Sequence, residues 1–323
     1  MTLRILRLLP ILAVLGGLLL AAAAAEPADA ARCLGHHATI VGSRNANHIV
    51  GTDRKDVIAA KGGDDVIVGH KGGDIVCGGR GNDSIIGDDS SEKLVGGSGR
   101  DYLEGDLGND LLVGDQYNPF GDAMGPVGRD AISGGGGRDF IVADNYGSGD
   151  AAGGADDELC PKRRGRPGGG GPNSDTMIGD SAVRGSGTAS GGGDDRLCSM
   201  KGSDLVVGDS YSPSGTASGG GNDKLNGDYK SDTIVGDSYT KTGVASGTGD
   251  DRVHGLWGND VLYGDNLAAS EYGEVLGGGG TDIITGADGD DRLLGGPGDR
   301  DICAGGDGRD SAHGTCEFKF DVP

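Results

Sequence analysis

The chain of 323 residues carries 70 glycines, 35% apolar and 4% aromatic residues; an ordinary globular core takes about 45–50% apolar residues and ~7% glycine, so a conventional enzyme core is excluded. Ten prolines and no Gly-X-Y period exclude a collagen-like fibre as well, leaving a disordered chain or a repeat fold in which glycine has a fixed place. Against 28 Lys and Arg stand 50 Asp and Glu, a formal charge of −22, which disfavours nucleic acid and anionic membrane surfaces as partners and favours a cation.

Residues 1–25 read as a secretory signal peptide: Arg4 and Arg7 are followed by the apolar run Leu8 to Leu20 and the small residues Ala21 to Ala25. Cleavage is expected there or as late as residue 30. The run is interrupted by Pro10, Gly16 and Gly17 and is short for a bilayer span of ~20 residues, so no membrane span is expected in the mature chain. A secreted, extracellular chain keeps its cysteines in an oxidising setting. Residues 31–41 read as an N-terminal cap in which Ala38 to Val41 begins the first strand and Cys33 ties it down.

From residue 42 a nine-residue period governs the chain. Gly69 to Cys77 is GHKGGDIVC, Gly78 to Ile86 is GGRGNDSII, Gly96 to Glu104 is GGSGRDYLE and Gly105 to Val113 is GDLGNDLLV. Between Asn47 and Asp310 there are 21 such rows. The sixth position is Asp in 19 of them, Asn47 and Glu92 being the exceptions; the eighth is Ile, Leu, Val or Met in 19, with Cys303 and Ala312 excepted. Two separate chemical constraints at one period do not arise from composition bias.

These rows resemble the GGxGxDxUx nonapeptide of the RTX, or hemolysin-type, calcium-binding repeat family, over roughly Gly42 to Gly314. The resemblance implies an all-β fold, a parallel β-roll related to right-handed β-helix solenoids, with two nonapeptides per coil and several Ca2+ ions between stacked turns. The residue chemistry agrees. Positions seven to nine suffice for a very short strand, whose alternation leaves one inward side chain, the aliphatic eighth residue. Burying it contributes ~1.5–3 kcal/mol, against ~1–2 kcal/mol of backbone entropy for each of nine residues. Glycine turns gather carbonyl oxygens beside the sixth-position carboxylate, and calcium takes six to eight such oxygens. Without a cation the stacked aspartates repel one another, so folding is expected to depend on metal.

The metal ligands expected on this basis are Asp56, Asp65, Asp74, Asp83, Asp101 and Asp110 in the uninterrupted part of the first block, residues 42–142. Asp130 and Asp139 close that block, and Asp195, Asp204, Asp223, Asp232, Asp251, Asp260, Asp282 and Asp291 continue the set in a second block, 175–313. Glu92 and Asn47 depart from the pattern. The competing reading is that each Asp is a turn former bonding its own backbone.

After Asp110 the rows come in pairs separated by loops of about ten residues, expected to leave one edge of the roll. They open with Gly179-Asp180-Ser181, Gly208-Asp209-Ser210 and Gly236-Asp237-Ser238 and close with Ala-Ser-Gly at Ala189, Ala217 and Ala245. Asp180, Asp209, Asp237 and Asp265 stand there either as extra ligands or as solvated charges. Residues 143–174, with the basic run Lys162 to Arg166, read as a flexible insertion.

Six cysteines permit fifteen pairings, and placement suggests Cys33 with Cys77, Cys160 with Cys198 and Cys303 with Cys316. Residues 314–323 read as a C-terminal cap. No HExxH, GxSxG or P-loop motif is present, and His36, His37, His48, His70, His254 and His313 are scattered, so no catalytic residue is assigned and the chain is not expected to be an enzyme. The function expected is that of a secreted calcium-binding repeat protein that folds cooperatively on export. The alternative is an adhesin or matrix protein binding a glycan or cell surface through Tyr117, Tyr146, Tyr211 and Tyr239; an RTX-type hydrolase or toxin is a remote third.

Overall fold

The computed structural model describes residues 31–160, 173–270, 274–276, 279–297, 300–313 and 316–320. The expected signal peptide and the run Lys162 to Arg166 lie outside them. Among the described residues there is no helix, and hence none long and apolar enough to cross a membrane.

Two twelve-stranded parallel sheets face each other. The front sheet runs from His48–Val50 to Cys316–Phe320 and the back sheet from Ile40–Val41 to Ser311–Ala312. Successive strands along the chain alternate between them, so each strand pairs with its counterparts one coil earlier and one coil later. In the back sheet Ile58 lies beside Val76 and Val76 beside Leu94; in the front sheet Leu225 lies beside Val253 and Val253 beside Ile284. The strands span positions seven to nine, as in Val66–Val68 and Leu205–Val207, and many run on to position three of the next row, as in Val57–Gly62 and Ile75–Arg80. Their eighth residues, including Ile58, Ile67, Leu103, Ile141, Leu197 and Leu262, are fully buried in one column between the sheets. This is the architecture expected for a parallel β-roll.

The coil changes width along its axis. Near the N-terminus successive rows on one edge are 18 residues apart. Further along the spacing becomes 28 and then 31, before returning to 19 near the end. Most of the added residues lie where the chain passes from back sheet to front sheet, here called the open edge. The opposite, tight edge keeps the bare nonapeptide turn except between Asp157 and Asp175, which stand 18 residues apart.

The segments expected as loops are ordered, and this corrects the sequence reading. They stack into a six-stranded parallel sheet, from Tyr117–Asn118 through Ala182–Val183 and Tyr211–Ser212 to Leu267–Ala268, and a five-stranded one, from Ala151–Ala152 through Ala189–Ser190 to Glu274–Val275. Segments that repeat in length and sequence present their main chains at the same height on every coil, so they hydrogen-bond as the core does. Three of their four tyrosines do not face solvent as a sugar platform would require, Tyr117 being only partly buried. Tyr146, Tyr211 and Tyr239 are each 8% exposed and pack with Val113, Val142, Ile178, Val207 and Val235, ninth residues of back-sheet rows. Tyr211 and Tyr239 stack at 5.5 Å between ring centroids, Tyr117 and Tyr146 at 5.0 Å.

The front and back ladders continue across residues 143–174. This segment holds the strands Tyr146–Gly147, Ala151–Ala152 and Glu158–Leu159, each paired to neighbours on both sides. The three disulfides are Cys33–Cys77, Cys160–Cys198 and Cys303–Cys316. The first ties the Arg32–Cys33 hairpin strand to the roll, and the last joins the final strand to its neighbour.

Candidate metal sites

Each sixth-position Asp follows a glycine-rich turn and enters a strand, which places its carboxylate on an edge of the roll with its main chain in the ladder. One oxygen is used across coils: the main-chain N–H of Asp56 donates to Oδ1 of Asp74 at 2.8 Å, that of Asp83 to Asp101 at 2.7 Å and that of Asp204 to Asp232 at 2.8 Å. These bonds form two columns. The tight edge runs Asp56 to Asp74 and, after a break at which Glu92 accepts no such bond, Glu92, Asp110, Asp139, Asp175, Asp204, Asp232, Asp260, Asp291 and Asp310. The open edge runs Asn47, Asp65, Asp83, Asp101, Asp130, Asp157, Asp195, Asp223, Asp251, Asp282, Asp301 and Glu317.

The second oxygen decides between turn former and ligand. In fifteen of the sixteen aspartates expected from sequence, Oδ2 is buried and has no protein partner. Asp56 is the exception, its Oδ2 accepting from the N–H and hydroxyl of Thr52 at 2.7 and 2.8 Å. An orphaned carboxylate oxygen is among the costliest groups to bury. In most rows Oδ2 faces a small cradle floored by a first-position glycine, Ala60 and Ser199 standing there in the rows of Asp65 and Asp204. A Cβ on Gly78 would fall 2.3 Å from Asp83 Oδ2 and 2.6 Å from the carbonyl oxygen of Gly96; on Gly105 it would fall 2.4 Å from Asp110 Oδ2 and 2.5 Å from the oxygen of Gly134. Glycine is favoured at Gly78 and Gly105 because a carboxylate and a carbonyl from the next coil converge on that space. Oxygen donors alone, one charged and the rest main-chain, suit a hard cation such as calcium. Among the described residues no three Asp, Glu, His or Cys side chains cluster as a metal-binding group, so main-chain carbonyls must supply most of the shell.

Electrostatics leads to the same place. Burial, reinforced by neighbouring carboxylates, pushes Asp83 up to about 6, Asp101 and Asp139 to about 7, and Asp130, Asp175 and Asp232 to about 8. Burial also acts on Asp56, but hydrogen bonds from Thr52 and Thr39 outweigh it and hold that group below the usual carboxylate value. Cations do stand near some of these groups, Lys55 by Asp74, Arg100 by Asp130 and Arg138 by Asp175, but burial outweighs them.

The two irregular rows differ. Glu92 stays in register, with Lys93 N–H donating to the Asp74 carbonyl at 2.9 Å and Leu111 N–H to the Glu92 carbonyl at 3.0 Å. Its longer side chain reaches the cradle over Gly87 with both oxygens unpartnered, and burial followed by Asp110 pushes it up to about 9. Asn47 turns its side-chain oxygen to the N–H of Ser43 at 2.6 Å and starts the open edge as a neutral end.

Sequence reasoning missed Asp157, which is 2% exposed and bonded into the open edge from both sides. The signal was present: the interval of 36 from Asp139 to Asp175 is two 18-residue steps with Asp157 at their midpoint. Asp175, Asp301 and Asp310, counted as rows but not as ligands, also carry orphaned Oδ2 atoms. Asp180, Asp209, Asp237 and Asp265 are not solvated charges, being at most 1% exposed; Asp115 and Asp144 are their equivalents in the first two widened coils.

Paired parallel sheets wound from nonapeptides, with a carboxylate column up each edge, define a β-roll repeat protein built around cation cradles. The model of the RTX calcium-binding nonapeptide repeat (4 copies) matches residues 50–85, 86–116, 127–145, 218–238, 244–266 and 276–312, more than half of the chain, and the chain belongs to that family. It is therefore a calcium-binding repeat protein. No curated protein matches it.

Proposed function

We propose that the protein is secreted and that calcium completes its fold outside the cell, the roll itself being the functional unit rather than the support of a separate catalytic domain. The observation that carries this reading is the run of buried, unpartnered Oδ2 atoms up both edges. A divalent ion in each cradle removes both the desolvation cost and the repulsion between coils, so binding and folding become one equilibrium. Three disulfides fit an oxidising compartment. The test is far-UV circular dichroism of the mature, oxidised chain titrated with calcium from a metal-free start. A cooperative gain of β signal that magnesium does not reproduce is expected; full β signal without metal removes calcium from the folding mechanism.

A glycan or cell-surface partner is a second reading, supported at Tyr117 alone of the four tyrosines expected. Where the narrow coil widens, an open cleft of about 530 Å³ is lined by Tyr117, Phe120, Gln116, Lys61 and Arg80, and Phe120 is 81% exposed. Aromatic faces beside hydrogen-bonding side chains suit sugar rings. Retention on a glycan array that is lost on Phe120→Ala supports it; no retention at saturating calcium removes it.

A further inference from the structure

The widened coils are spliced at one point of the nonapeptide. Gly179 and Asp180 occupy positions one and two, while Gly193, Asp194 and Asp195 occupy positions four to six, so the inserted residues replace position three. The same holds at Gly114-Asp115, Ala143-Asp144, Gly208-Asp209, Gly236-Asp237 and Gly264-Asp265, and position two is Asp in all six. Backbone conformation separates these aspartates from those at position two of unspliced rows. Asp88, Asp106 and Asp228 have φ of 112°, 73° and 80°; the left-handed residue turns the chain straight back and leaves their side chains partly exposed. None of the six spliced aspartates has positive φ. The chain continues outward and the carboxylate stays inside.

Each buried position-two carboxylate faces the sixth-position Asp of its own turn. Gly193 N–H donates to both oxygens of Asp180 at 3.2 and 3.1 Å, Gly221 N–H to Asp209 Oδ1 at 3.1 Å and Gly128 N–H to Asp115 Oδ2 at 2.9 Å; the donor lies two residues before Asp195, Asp223 and Asp130 respectively. From the other side, a Cβ on Gly179 would lie 2.2 Å from Asp195 Oδ2, and one on Gly208 would lie 2.0 Å from Asp223 Oδ2. Except at Asp180, both of whose oxygens accept from Gly193 N–H, both carboxylates bring an orphan to the gap. Asp115 Oδ1, Asp144 Oδ1, Asp209 Oδ2, Asp237 Oδ1 and Asp265 Oδ2 are buried without a partner, as is the Oδ2 of every sixth-position Asp they face. The hydroxyls of Ser210 and Ser238 beside them are also buried and unpartnered.

We propose that the spliced turns form a second class of calcium site, each framed by two carboxylates: Asp115 with Asp130, Asp144 with Asp157, Asp180 with Asp195, Asp209 with Asp223, Asp237 with Asp251, and Asp265 with Asp282. This rests on the calcium-binding reading above and goes beyond it. The repeat motif supplies one carboxylate per row, whereas these sites supply two, which balances the charge of one divalent ion. Affinity in oxygen-ligand sites rises with the number of charged ligands. The second class therefore fills first, at roughly tenfold lower calcium than the single-carboxylate sites of the tight edge.

Calcium binding by the full oxidised chain, counted by equilibrium dialysis, tests this on the wild type, on D180N/D209N/D237N and on D175N/D204N/D232N. Asparagine keeps the acceptor for the turn N–H and removes the charge. The first triple variant is expected to lose about three ions from the tight class while the weak class persists; the tight-edge variant is expected to keep the tight class. An unchanged tight class in the first variant overturns the second site while leaving calcium binding at the repeats intact. If that variant does not fold in calcium, the single variant D209N is measured instead, with about one tight ion lost expected and none lost overturning the proposal. A wild type that takes up no calcium overturns the calcium reading itself, and the second class with it.

Discussion

The main-chain N–H of Asp195 donates to Oδ1 of Asp223, one coil away, at 2.8 Å, while Oδ2 of the same Asp223 is buried without a partner. One carboxylate thus does two things: it staples neighbouring coils, and it presents a charge that the protein leaves unanswered. The two roles can be separated by substitution.

Asp83→Asn keeps an acceptor for the ladder and deletes the charge. In metal-free buffer the variant is expected to be more folded than the wild type, because a like-charge contact with Asp65 and Asp101 is gone. In calcium the order reverses, and the calcium midpoint for folding rises by roughly twofold or more. Circular dichroism with and without calcium reads both signs; a shift of the same sign in both buffers contradicts the double role.

Protons should replace calcium in part. The folded values of Asp101 and Asp139 are raised to about 7, and those of Asp130 and Asp232 to about 8, from an ordinary 3.8, by burial above all. The folded chain therefore binds more protons than the unfolded chain between these limits. This contribution to stability is fully present below about 4 and is lost as pH rises through the folded values. The metal-stripped chain is expected to show more β signal at pH 5 than at pH 8, and calcium binding at pH 7 to release protons. A flat pH profile without metal counts against raised values.

Glu92→Asp should repair the tight edge. The shorter side chain can accept from the N–H of Asp74 as its neighbours do, adding one cross-coil bond worth about 1 kcal/mol. A higher denaturation midpoint in calcium is expected; no change means that Glu92 already serves its cradle as well as Asp.

Gly96→Ala tests the cradle by filling it. Gly96 has no positive φ, and a Cβ there would lie 2.3 Å from the oxygen of Gly114 and 2.4 Å from Asp101 Oδ2. A loss of about 1–3 kcal/mol in calcium is expected from overpacking, with fewer ions bound. Gly185→Ala, with nothing within 4 Å of the added atom, is the control and should match the wild type.

Much of this was legible because the nonapeptide couples one side chain to one task. The aliphatic eighth residue gives the core column, the sixth gives both edge columns, and cysteines placed on neighbouring coils give Cys33–Cys77, Cys160–Cys198 and Cys303–Cys316. What escaped depends on distance along the axis rather than along the chain. Asp157 was hidden because Ala155 replaces the glycine at position four of its row. The insertions looked like loops because a single copy of Tyr211-Ser212 has no reason to be a strand; stacked on Tyr239-Thr240 it does. Whether Asp180 points in or out turns on the sign of φ at position two, which residue type alone does not dictate.

The sixth-position cross-coil bonds all run one way: the earlier coil offers N–H and the later coil brings the carboxylate, whereas at the fifth position the later coil donates, as from Asn82 to Asp64 and from Asn222 to Asp194. Asn47, whose side chain is spent on Ser43 within its own turn, asks nothing of a preceding coil, and Glu317 closes the far end by accepting from Asp301 at 2.7 Å. The sixth-position ladder is therefore a zipper with a direction. A chain delivered N-terminus first can latch each coil on arrival, and the unlatched end is always the one still being supplied.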